Sequence, residues 1–384
     1  MKIALAIFSL AKMGGLERHT IWLAETLAGR GHEVVIYSTA QGAASSAVPI
    51  RILPQRGWMN HARMAAFASD IRNATTGQHD VVVACQKLPG PDVLFCADWS
   101  VAAKEVPPWK RLLPRYRTML ELERGCFGPA SDMFLIMLSE PQAQAYRKAW
   151  SIAPGRMTTI PPTLHTRLVR DAPEEDERAE WRCALGVGPD QVAWLWVGLQ
   201  PKVKGLDRAI AALALSPDAV LLAAGANPQS RAMRAFLKKA EKLGCADRIR
   251  LLGMVSGDEI ARLYLSADLL IHPSRLDVTA TVIVEAFGAG LPVITTENCG
   301  YSVHVVAADA GVVLSEAARP VEIAEAAAVS ADIRRHWSKN ARDYVRTANL
   351  TGGIDAAADA IEARGRAAGF WGARPRLEDQ GLRQ

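Results

Sequence analysis

Short apolar runs alternate with amphipathic stretches along most of the chain, and the alternation begins at the first residues. In the first half, KIALAIFSL, HEVVIYST, DVVVACQ and DMFLIMLS predict strands, and LERHTIWLAETLAGRG predicts a helix between the first two. Strands that are apolar throughout are typical of a parallel sheet that crossover helices cover on both faces. This half therefore predicts a doubly wound α/β domain.

The alternation restarts after the segment TTIPPTL and the charged stretch DAPEEDERAE. Strands are predicted at QVAWLWVG, AVLLAAG, IRLLGMV, DLLIHPS and LPVITT, with helices at LDRAIAALAL, QSRAMRAFLKKAEKLG, DEIARLYLSA and TATVIVEAFGAG. A chain of 384 residues exceeds one ordinary domain. We therefore expect a second α/β domain, joined to the first near the stiff pair Pro161-Pro162.

Composition narrows the class of protein. The net charge of +5 is modest and gives no argument for a nucleic-acid partner. Six cysteines without a CxxC pair are typical of a reduced cytosolic protein. The opening MKIALAIFSLAKMGG has features of a signal peptide, but an amphipathic segment follows without a convincing cleavage site, so we interpret it as a buried strand. No apolar run is long enough to span a membrane, and the basic tail from residue 365 is expected to fray.

Two carboxylates in RLDVTATVIVEAFGAGLPVITT are the first candidates for chemistry. Glu285 lies among apolar residues, a little over two turns into a helix that the pattern starts near Val278 or Thr279. An unpaired buried carboxylate is costly, so Glu285 requires a partner from outside this stretch, and the two hydroxyls of a ribose would satisfy it. Asp277 is either a second functional carboxylate or the cap of the same helix.

Lys204, in GLQPKVKGLD, lies between a predicted strand and a predicted helix. The amides at the start of a helix attract phosphate, and a lysine there adds a full positive charge. The segment is not a P-loop, however, and a solvated surface lysine is an equal alternative. The lack of GxGxxG weakens a nicotinamide or flavin assignment. Gly14-Gly15, which have no Cβ, either let a loop approach the donor phosphates closely or form an ordinary strand-to-helix turn. His19 faces either the acceptor or solvent.

Asp98 follows an apolar strand in VLFCADWS, at the expected mouth of the first sheet, where it is either a helix cap or a functional group. Basic side chains and amphipathic aromatics are interleaved over residues 104–119. This pattern suits an anionic membrane surface, with a solvated helix that covers the core as the alternative.

Lys204 followed by Asp277-x7-Glu285 resembles the donor site of the retaining GT-B glycosyltransferases of family 4, as does LLGMVSGDEIARLYLSADLLIHPS. GGLERH, NHAR, KLPGPDVLFCAD, YRTMLELER, SKNARDY, IPPTL and ENCGYSVHV are similar to the members that add the first glucose to an inner-core heptose of lipopolysaccharide. The resemblance spans nearly the whole chain. It implies two Rossmann-like doubly wound domains facing a central cleft, with acceptor binding in 1–165, nucleotide-sugar binding in 166–349, and a helix at about 350–370 packing back on the first domain.

The same resemblance implies the site residues. The catalytic set is Asp98, Lys204 and Asp277. The donor set is Gly14, Gly15, Lys202, Lys204, Val255, Asp277, Val278, Thr279, Ala280, Thr281 and Glu285. The acceptor set is His19, Asn60, His61, Arg63 and Lys87, whose cations would bind heptose phosphates. In this scheme Glu285 holds the ribose, Asp277 lies against the donor sugar and Lys204 neutralises the diphosphate, while the turn at Gly253–Val255 packs on the nucleobase.

Two positions depart from the family pattern. Asp277 stands in place of the customary glutamate and is one methylene shorter. Leu199 stands where many members carry an arginine beside the phosphates, so Lys202 is expected to substitute for it. Both departures bear on the identity of the donor sugar and leave the class of mechanism unchanged.

The resemblance implies transfer of glucose from UDP-glucose, with retention, to an inner-core heptose at the cytoplasmic face of the inner membrane. No cofactor or metal is expected, because Lys204 and the helix dipole can stabilise the diphosphate and the acidic run Glu174–Glu177 lies in the expected linker. Same-face attack within an ion pair is favoured over a covalent carboxylate intermediate, since no pair of carboxylates at a reaction centre can be read from the sequence. The alternatives are a nucleotide-sugar epimerase of the same fold, or a non-catalytic membrane-associated protein that retains the donor pocket.

Overall fold

The computed structural model describes residues 1–12, 14–42, 46–255 and 257–370, with side chains to residue 367. The chain divides into two compact units, Met1–Ile160 with the segment that begins at Gly353, and Pro161–Gly352. The first unit is referred to below as the N-terminal unit and the second as the C-terminal unit. Most of the tail that was expected to fray lies outside the described residues.

Within the described residues, the N-terminal unit contains seven parallel strands in the order β3-β2-β1-β4-β5-β6-β7. The strands are β1 (Lys2–Ala6), β2 (Glu33–Ser38), β3 (Ile50–Ile52), β4 (Val81–Ala84), β5 (Val93–Cys96), β6 (Phe134–Met137) and β7 (Met157–Thr159). Their helices are α1 (Gly15–Gly29), α2 (Asn60–Thr75), α3 (Pro114–Phe127) and α4 (Glu140–Ala149). The strands predicted from apolar runs are confirmed. The sequence did not predict β3 and β7, because both are three-residue edge strands with partly exposed side chains.

The C-terminal unit contains, in the described part of the chain, six parallel strands in the order β10-β9-β8-β11-β12-β13. The strands are β8 (Val192–Val197), β9 (Ala219–Ala224), β10 (Ile249–Gly253), β11 (Leu269–His272), β12 (Val293–Thr296) and β13 (Gly311–Leu314). The helices are α5 (Glu175–Ala184), α6 (Leu206–Leu213), α7 (Arg231–Lys242), α8 (Asp258–Ser266), α9 (Thr281–Gly288), α10 (Ser302–Ala308), α11 (Pro320–Ala327) and α12 (Ala331–Thr347). Strands β9, β11 and β12 are buried along their whole length, as expected for a sheet covered on both faces.

Two expectations about this unit are wrong. The acidic stretch treated as a linker is largely helix α5, which docks because the guanidiniums of Arg178 and Arg182 lie 2.8 and 2.9 Å from the carboxylate oxygens of Asp268. Helix α9 starts at Thr281, later than the apolar pattern indicated, so Glu285 lies just over one turn into the helix.

The last helix, α13 (Gly353–Phe370), packs on α1 and on strands β4 to β6 of the N-terminal unit. Arg30, at the end of α1, lies 2.8 Å from a carboxylate oxygen of Asp355 and 2.6 Å from one of Asp359. His32 Nε2 is 3.0 Å from Glu362 Oε1. The C-terminal helix therefore completes the N-terminal unit by both packing and ion pairs.

Candidate active site

The candidate donor residues lie at the carboxyl edge of the C-terminal sheet. Strand order reverses between β8 and β11, and in open α/β sheets ligands bind outside such a reversal. Lys204 lies in the loop after β8 and Asp277 in the loop after β11. Their Nζ and Oδ2 atoms are 2.5 Å apart. The fold therefore joins, in one ion pair, two residues that are 73 positions apart in the sequence.

The loop that carries Lys204 is held by its backbone. The Lys204 amide donates to the Gln200 carbonyl at 2.9 Å, and the Lys204 carbonyl accepts from the indole N–H of Trp196 at 2.9 Å. Gly205 follows with φ of +75°, and a Cβ there would collide with the carbonyl oxygen of Pro273. Glycine is therefore required next to Lys204 for both conformation and space.

Asp277 is held from two directions. Its amide donates to the Asn298 carbonyl at 3.0 Å, and its Oδ2 lies 3.1 Å from Nε2 of the buried His272. Burial favours the neutral acid, but the hydrogen bond from His272 and the charge of Lys204 outweigh it and hold the pKa of Asp277 well below its usual range. Asp277 is not the cap of α9, because the N-cap position belongs to Ala280.

The segment Val278–Thr281 leads into α9 through a strained residue. Ala280 has φ of 60° and ψ of 61°, the left-handed region that residues with a Cβ rarely adopt. The surrounding loop imposes this conformation, since the Tyr301 amide donates to the Thr279 carbonyl at 2.8 Å and the Gly300 amide to the Asp277 carbonyl at 3.1 Å. The first-turn amides of α9 are consequently presented at the carboxyl edge of the sheet, where a diphosphate would find donors.

Glu285 has a hydrogen-bond partner within the unit that the sequence analysis missed. The hydroxyl of Tyr264, on α8, donates to Oε2 of Glu285 at 2.7 Å, and Glu285 is buried. Tyr264 is the one aromatic residue in DEIARLYLSA, which the pattern predicted only as a helix. A carboxylate that the sequence marked as needing a partner thus receives a tyrosine hydroxyl, which also fixes its rotamer.

A second carboxylate, that of Asp207, forms ion pairs with the basic side chains near Lys204. The guanidinium of Arg275 donates to both oxygens of Asp207 at 2.8 and 2.9 Å, and Lys202 Nζ lies 2.8 Å from Asp207 Oδ2. Lys202, expected to take the place of an arginine at the phosphates, is therefore paired with Asp207, while Leu199 is exposed. Arg275 was not among the predicted site residues, and its one signal in the sequence is its place two residues before Asp277.

The predicted nucleobase turn is built on glycines. The Gly225 amide donates to the Gly253 carbonyl at 2.6 Å, and Gly253 has φ of +70°. Val255 follows with a half-buried side chain. The turn therefore lies at the carboxyl ends of β9 and β10, on the same edge of the sheet as Lys204.

In the N-terminal unit Asp98 follows β5 with its side chain on the surface. Its carbonyl accepts from the amide of Gln142 at 2.8 Å and from the hydroxyl of Tyr146 at 3.3 Å, both on α4. The main chain at Asp98 is thus fixed by buried groups while the carboxylate is presented at the carboxyl edge of the sheet.

Lys87 does not occupy the position that the sequence analysis expected. It is buried, with its Nζ 2.8 Å from Oε2 of Glu123 and 2.9 Å from the carbonyl of Trp99. The carboxylate of Glu123 also accepts from the Ser100 hydroxyl at 2.7 Å and from the Val101 amide at 2.6 Å. The ammonium group is therefore engaged inside the unit, where it holds the loop after Asp98 and is not exposed to acceptor phosphates.

The other predicted residues of this unit lie along the same sheet edge. The Gly14 amide donates to Glu17 Oε2 at 3.0 Å at the start of α1. A Cβ on Gly15 would meet no atom within 4 Å, so the chain itself does not require glycine there. Burial, and next the charge of Arg18, lower the pKa of His19 to about 4, so this imidazole is neutral near pH 7.

Three predicted acceptor residues share the first turn of α2. Asn60 is exposed and begins the helix, and His61 is half-buried beside it. Arg63 donates through Nε to the Gly57 carbonyl at 2.9 Å. The turn therefore brings an amide, an imidazole and a guanidinium together at the carboxyl side of β3.

The segment 104–119 is an exposed surface of mixed character. A short 3-10 turn, Pro108–Leu112, precedes α3, and the side chains of Trp109, Leu112 and Leu113 are 60%, 70% and 45% exposed. Its five basic residues, also exposed, are Lys104, Lys110, Arg111, Arg115 and Arg117. No helix in the described part of the chain is long and apolar enough to cross a membrane. Likewise, no group of three or more His, Cys, Asp or Glu side chains placed to hold a metal occurs among the described residues.

Comparison with known proteins identifies the family. A family model described as glycosyl transferases group 1 matches residues 177–344. The lipopolysaccharide glucosyltransferase WaaG of Escherichia coli (strain K12) is 31% identical over 375 residues, which cover 94% of this chain and 98% of WaaG. The chain belongs to the group 1 glycosyltransferases. This glycosyltransferase is also 26% identical over 331 residues to a D-inositol 3-phosphate glycosyltransferase of Mycolicibacterium gilvum (strain PYR-GCK), covering 76% of this chain and 72% of that protein.

Solved structures support the same assignment. The crystal structure of WaaG, described as a glycosyltransferase involved in lipopolysaccharide biosynthesis, superimposes with a TM-score of 0.86 at 30% identity and covers 94% of this glycosyltransferase and 99% of WaaG. A sucrose-phosphate synthase from Thermosynechococcus elongatus, at 19% identity and a TM-score of 0.76, covers 96% of this chain and 99% of its own, and shows the fold alone. The predicted GT-B fold of two Rossmann-like units and the predicted enzyme class are confirmed.

Proposed function

We propose that this glycosyltransferase transfers glucose from UDP-glucose, with retention of anomeric configuration, to a heptose of the lipopolysaccharide inner core. The observation that carries the proposal is the 31% identity to the lipopolysaccharide glucosyltransferase WaaG, because it runs through both units over 94% of the chain. A likeness confined to the nucleotide-binding unit would support only the donor class. A match that includes the N-terminal unit supports a shared acceptor class as well.

The donor side of the proposal rests on charges at the sheet reversal. Glu285 accepts the ribose hydroxyls, Lys204 and the first-turn amides of α9 neutralise the diphosphate, and Asp277 orients the glucose. The negative charge on the diphosphate grows as the glycosidic bond breaks, so a lysine and a helix N-terminus placed there stabilise the transition state more than the ground state.

The transfer itself needs few groups. The bond between the anomeric carbon and the β-phosphate oxygen breaks, the acceptor hydroxyl attacks the same face of the sugar, and its proton passes to the departing phosphate. Asp98, exposed at the carboxyl edge of the N-terminal sheet, orients the acceptor hydroxyl. No step in this scheme uses a cofactor or a metal ion. Activity that disappears with EDTA and returns with magnesium or manganese would contradict this part of the proposal.

We further propose that the enzyme works on the cytoplasmic face of the inner membrane, bound through residues 104–119. Trp109, Leu112 and Leu113 expose apolar surface in a segment with five basic side chains, a combination that suits anionic headgroups above an acyl boundary. An acceptor anchored in the inner leaflet would then be met at the membrane surface.

The experiment that tests the proposal is a panel of nucleotide sugars assayed with heptose-terminated lipopolysaccharide. We expect UDP-glucose to be consumed only with this acceptor, and we expect the new linkage to show by NMR the anomeric configuration of the donor. A matched lipopolysaccharide in which the heptose is already glucosylated serves as the control. Turnover of a different sugar, an inverted linkage, or product formation without acceptor would each overturn the corresponding part of the proposal, the last in favour of an epimerase.

A further inference from the structure

Two cations converge on one oxygen of Asp277. Lys204 Nζ lies 2.5 Å and His272 Nε2 3.1 Å from Oδ2 of this carboxylate. The two partners differ in access, since the side chain of Lys204 is 23% exposed and that of His272 is 1% exposed. Lys204 can therefore exchange partners with a ligand, whereas His272 is confined to Asp277.

The imidazole is fixed by the strand that carries it. His272 is the last residue of β11, its backbone pairs with Thr295 of β12, and its carbonyl accepts from the Thr295 hydroxyl at 3.0 Å. Nε2 makes the contact to Asp277, and Cys299 from the turn after β12 also faces the ring. The sheet thus holds the Nε2 donor of His272 against the carboxylate of Asp277.

Diphosphate binding would change which positive charges neutralise the Asp277 carboxylate. In the proposed function Lys204 turns its ammonium toward the diphosphate, which takes charge away from Asp277. A buried carboxylate without a cation is costly and tends to take up a proton. A second cation that cannot leave would keep Asp277 ionised at the moment when the donor sugar needs an acceptor of hydrogen bonds.

We infer that His272 is a positioning residue for the transfer reaction, which holds Asp277 ionised and in place while Lys204 serves the diphosphate. The inference rests on the proposed function of the donor site. It assigns His272 no contact with the substrate. It explains why a histidine is buried at the end of a central strand instead of an apolar residue.

The protonation of His272 agrees with this role. The titratable groups that face the ring are Asp277 on its own loop and Cys299 from the turn after β12, with Lys204 beyond Asp277 from the loop after β8. Burial by itself lowers the pKa of His272, but the hydrogen bond to Asp277 and the neighbouring Cys299 raise it to about 9. The imidazole therefore carries its charge at neutral pH and loses it as the pH rises through about 9.

The test removes the charge of the His272 side chain and keeps a side chain of similar size. In His272→Gln we expect kcat to fall about 10- to 100-fold, the range for loss of a charge-assisted hydrogen bond, while KM for UDP-glucose changes less than threefold. The wild-type decline of kcat near pH 9 should be absent in the variant. The matched control is His304→Gln, because His304 lies in the same unit with its Nδ1 2.8 Å from the Tyr344 hydroxyl and does not contact Asp277.

A double-variant cycle separates positioning from general damage. If His272 acts through Asp277, then adding His272→Gln to Asp277→Asn should cost little more than Asp277→Asn alone. Additive losses, or a His272→Gln enzyme within twofold of wild-type kcat, would overturn the inference. If the panel identifies another donor or acceptor, the same measurements are made with that pair, so failure of the proposed substrates does not decide this question.

Nuclear magnetic resonance gives a direct readout without turnover. The His272 imidazole should be protonated at pH 8 both in the ligand-free enzyme and in the enzyme saturated with UDP. An imidazole that becomes neutral at pH 8 when UDP binds contradicts the role described. Failure of UDP to bind at all would count against the donor site itself, and the ligand-free spectrum then decides whether the charged pair exists.

Discussion

The ribose contact of Glu285 is open to a quantitative test through Glu285→Gln. Glu285 is buried, and its Oε2 already accepts from the Tyr264 hydroxyl at 2.7 Å. In the variant the amide oxygen can continue to accept from Tyr264. The amide nitrogen, however, only donates, so it cannot accept a hydroxyl of the ribose. The substitution therefore separates the structural contact of Glu285 from its proposed ligand contact.

The two contacts predict effects of different size. Hydrogen bonds to a charged group are worth about 1.5–3 kcal/mol, so loss of the ribose contact should weaken UDP binding by a factor of about 10 to 150. The retained bond to Tyr264 should limit the loss in unfolding free energy to about 1 kcal/mol, which lowers the melting temperature by roughly 2–4 °C in a domain of this size class. The predicted loss falls mainly on binding.

Isothermal titration of folded protein with UDP measures the first quantity and thermal unfolding monitored by circular dichroism measures the second. Glu241→Gln is a matched control, because Glu241 is exposed on α7 of the same unit. Tyr264→Phe tests the positioning of Glu285 and should weaken UDP binding by a smaller factor than Glu285→Gln. An unchanged UDP affinity in folded Glu285→Gln would refute the ribose role, and an equal loss in Glu241→Gln would show that charge alone accounts for the effect.

Four further outcomes are expected. Lys204→Ala should lower kcat more than UDP affinity, and an equal effect on both would argue against a transition-state role. Glutamine at Lys110, Arg111, Arg115 and Arg117 should abolish sedimentation with anionic vesicles at low salt, since each basic side chain contributes about 1 kcal/mol, while turnover of a delipidated acceptor persists. Unchanged sedimentation would show that the segment is not the anchor. Gly205→Ala should lower the melting temperature, because it places a Cβ at φ of +75° against a carbonyl, whereas Gly15→Ala should leave it unchanged; equal shifts would contradict this. Lys87→Met should cost about 3–5 kcal/mol of unfolding free energy at pH 7 by leaving the buried carboxylate of Glu123 without a cation, and denaturant titrations should show that this cost shrinks below about pH 4.

The pH range in the last prediction follows from the directions in which the pKa values of Glu123 and Lys87 are shifted. The pKa of Glu123 is lowered, since the nearby Lys87 charge and hydrogen bonds outweigh the effect of burial, so its contribution exists above the ordinary carboxyl pKa and fades as the pH falls. The pKa of Lys87 is raised, because the charges of Asp98 and Glu123 outweigh burial, so its contribution is lost only in strong alkali. A cost that persists undiminished below about pH 4 would contradict the ion-pair account.

The sequence by itself determined the repeated α/β pattern of this protein. Parallel strands buried on both faces must be apolar throughout, so apolar runs alternating with helical periods predicted both sheets. Residues in loops after such strands meet at the carboxyl edge. Position alone left Lys204 open as a solvated lysine and Asp277 as a helix cap, and the resemblance to the family 4 donor site assigned both to one site. The observed distance between their side chains agrees with that assignment.

Tertiary structure alone decided which partners these residues have. Periodicity reports which face of an element is buried but carries no information about the element packed against it. Neither Tyr264 nor His272 was therefore predicted as a site residue, and Lys87 was expected to bind the acceptor, whereas Glu123 on α3 lies 2.8 Å from it. The start of α9 was decided in the same way, because backbone hydrogen bonds from Gly300 and Tyr301 hold the preceding loop out of helical conformation despite its apolar sequence.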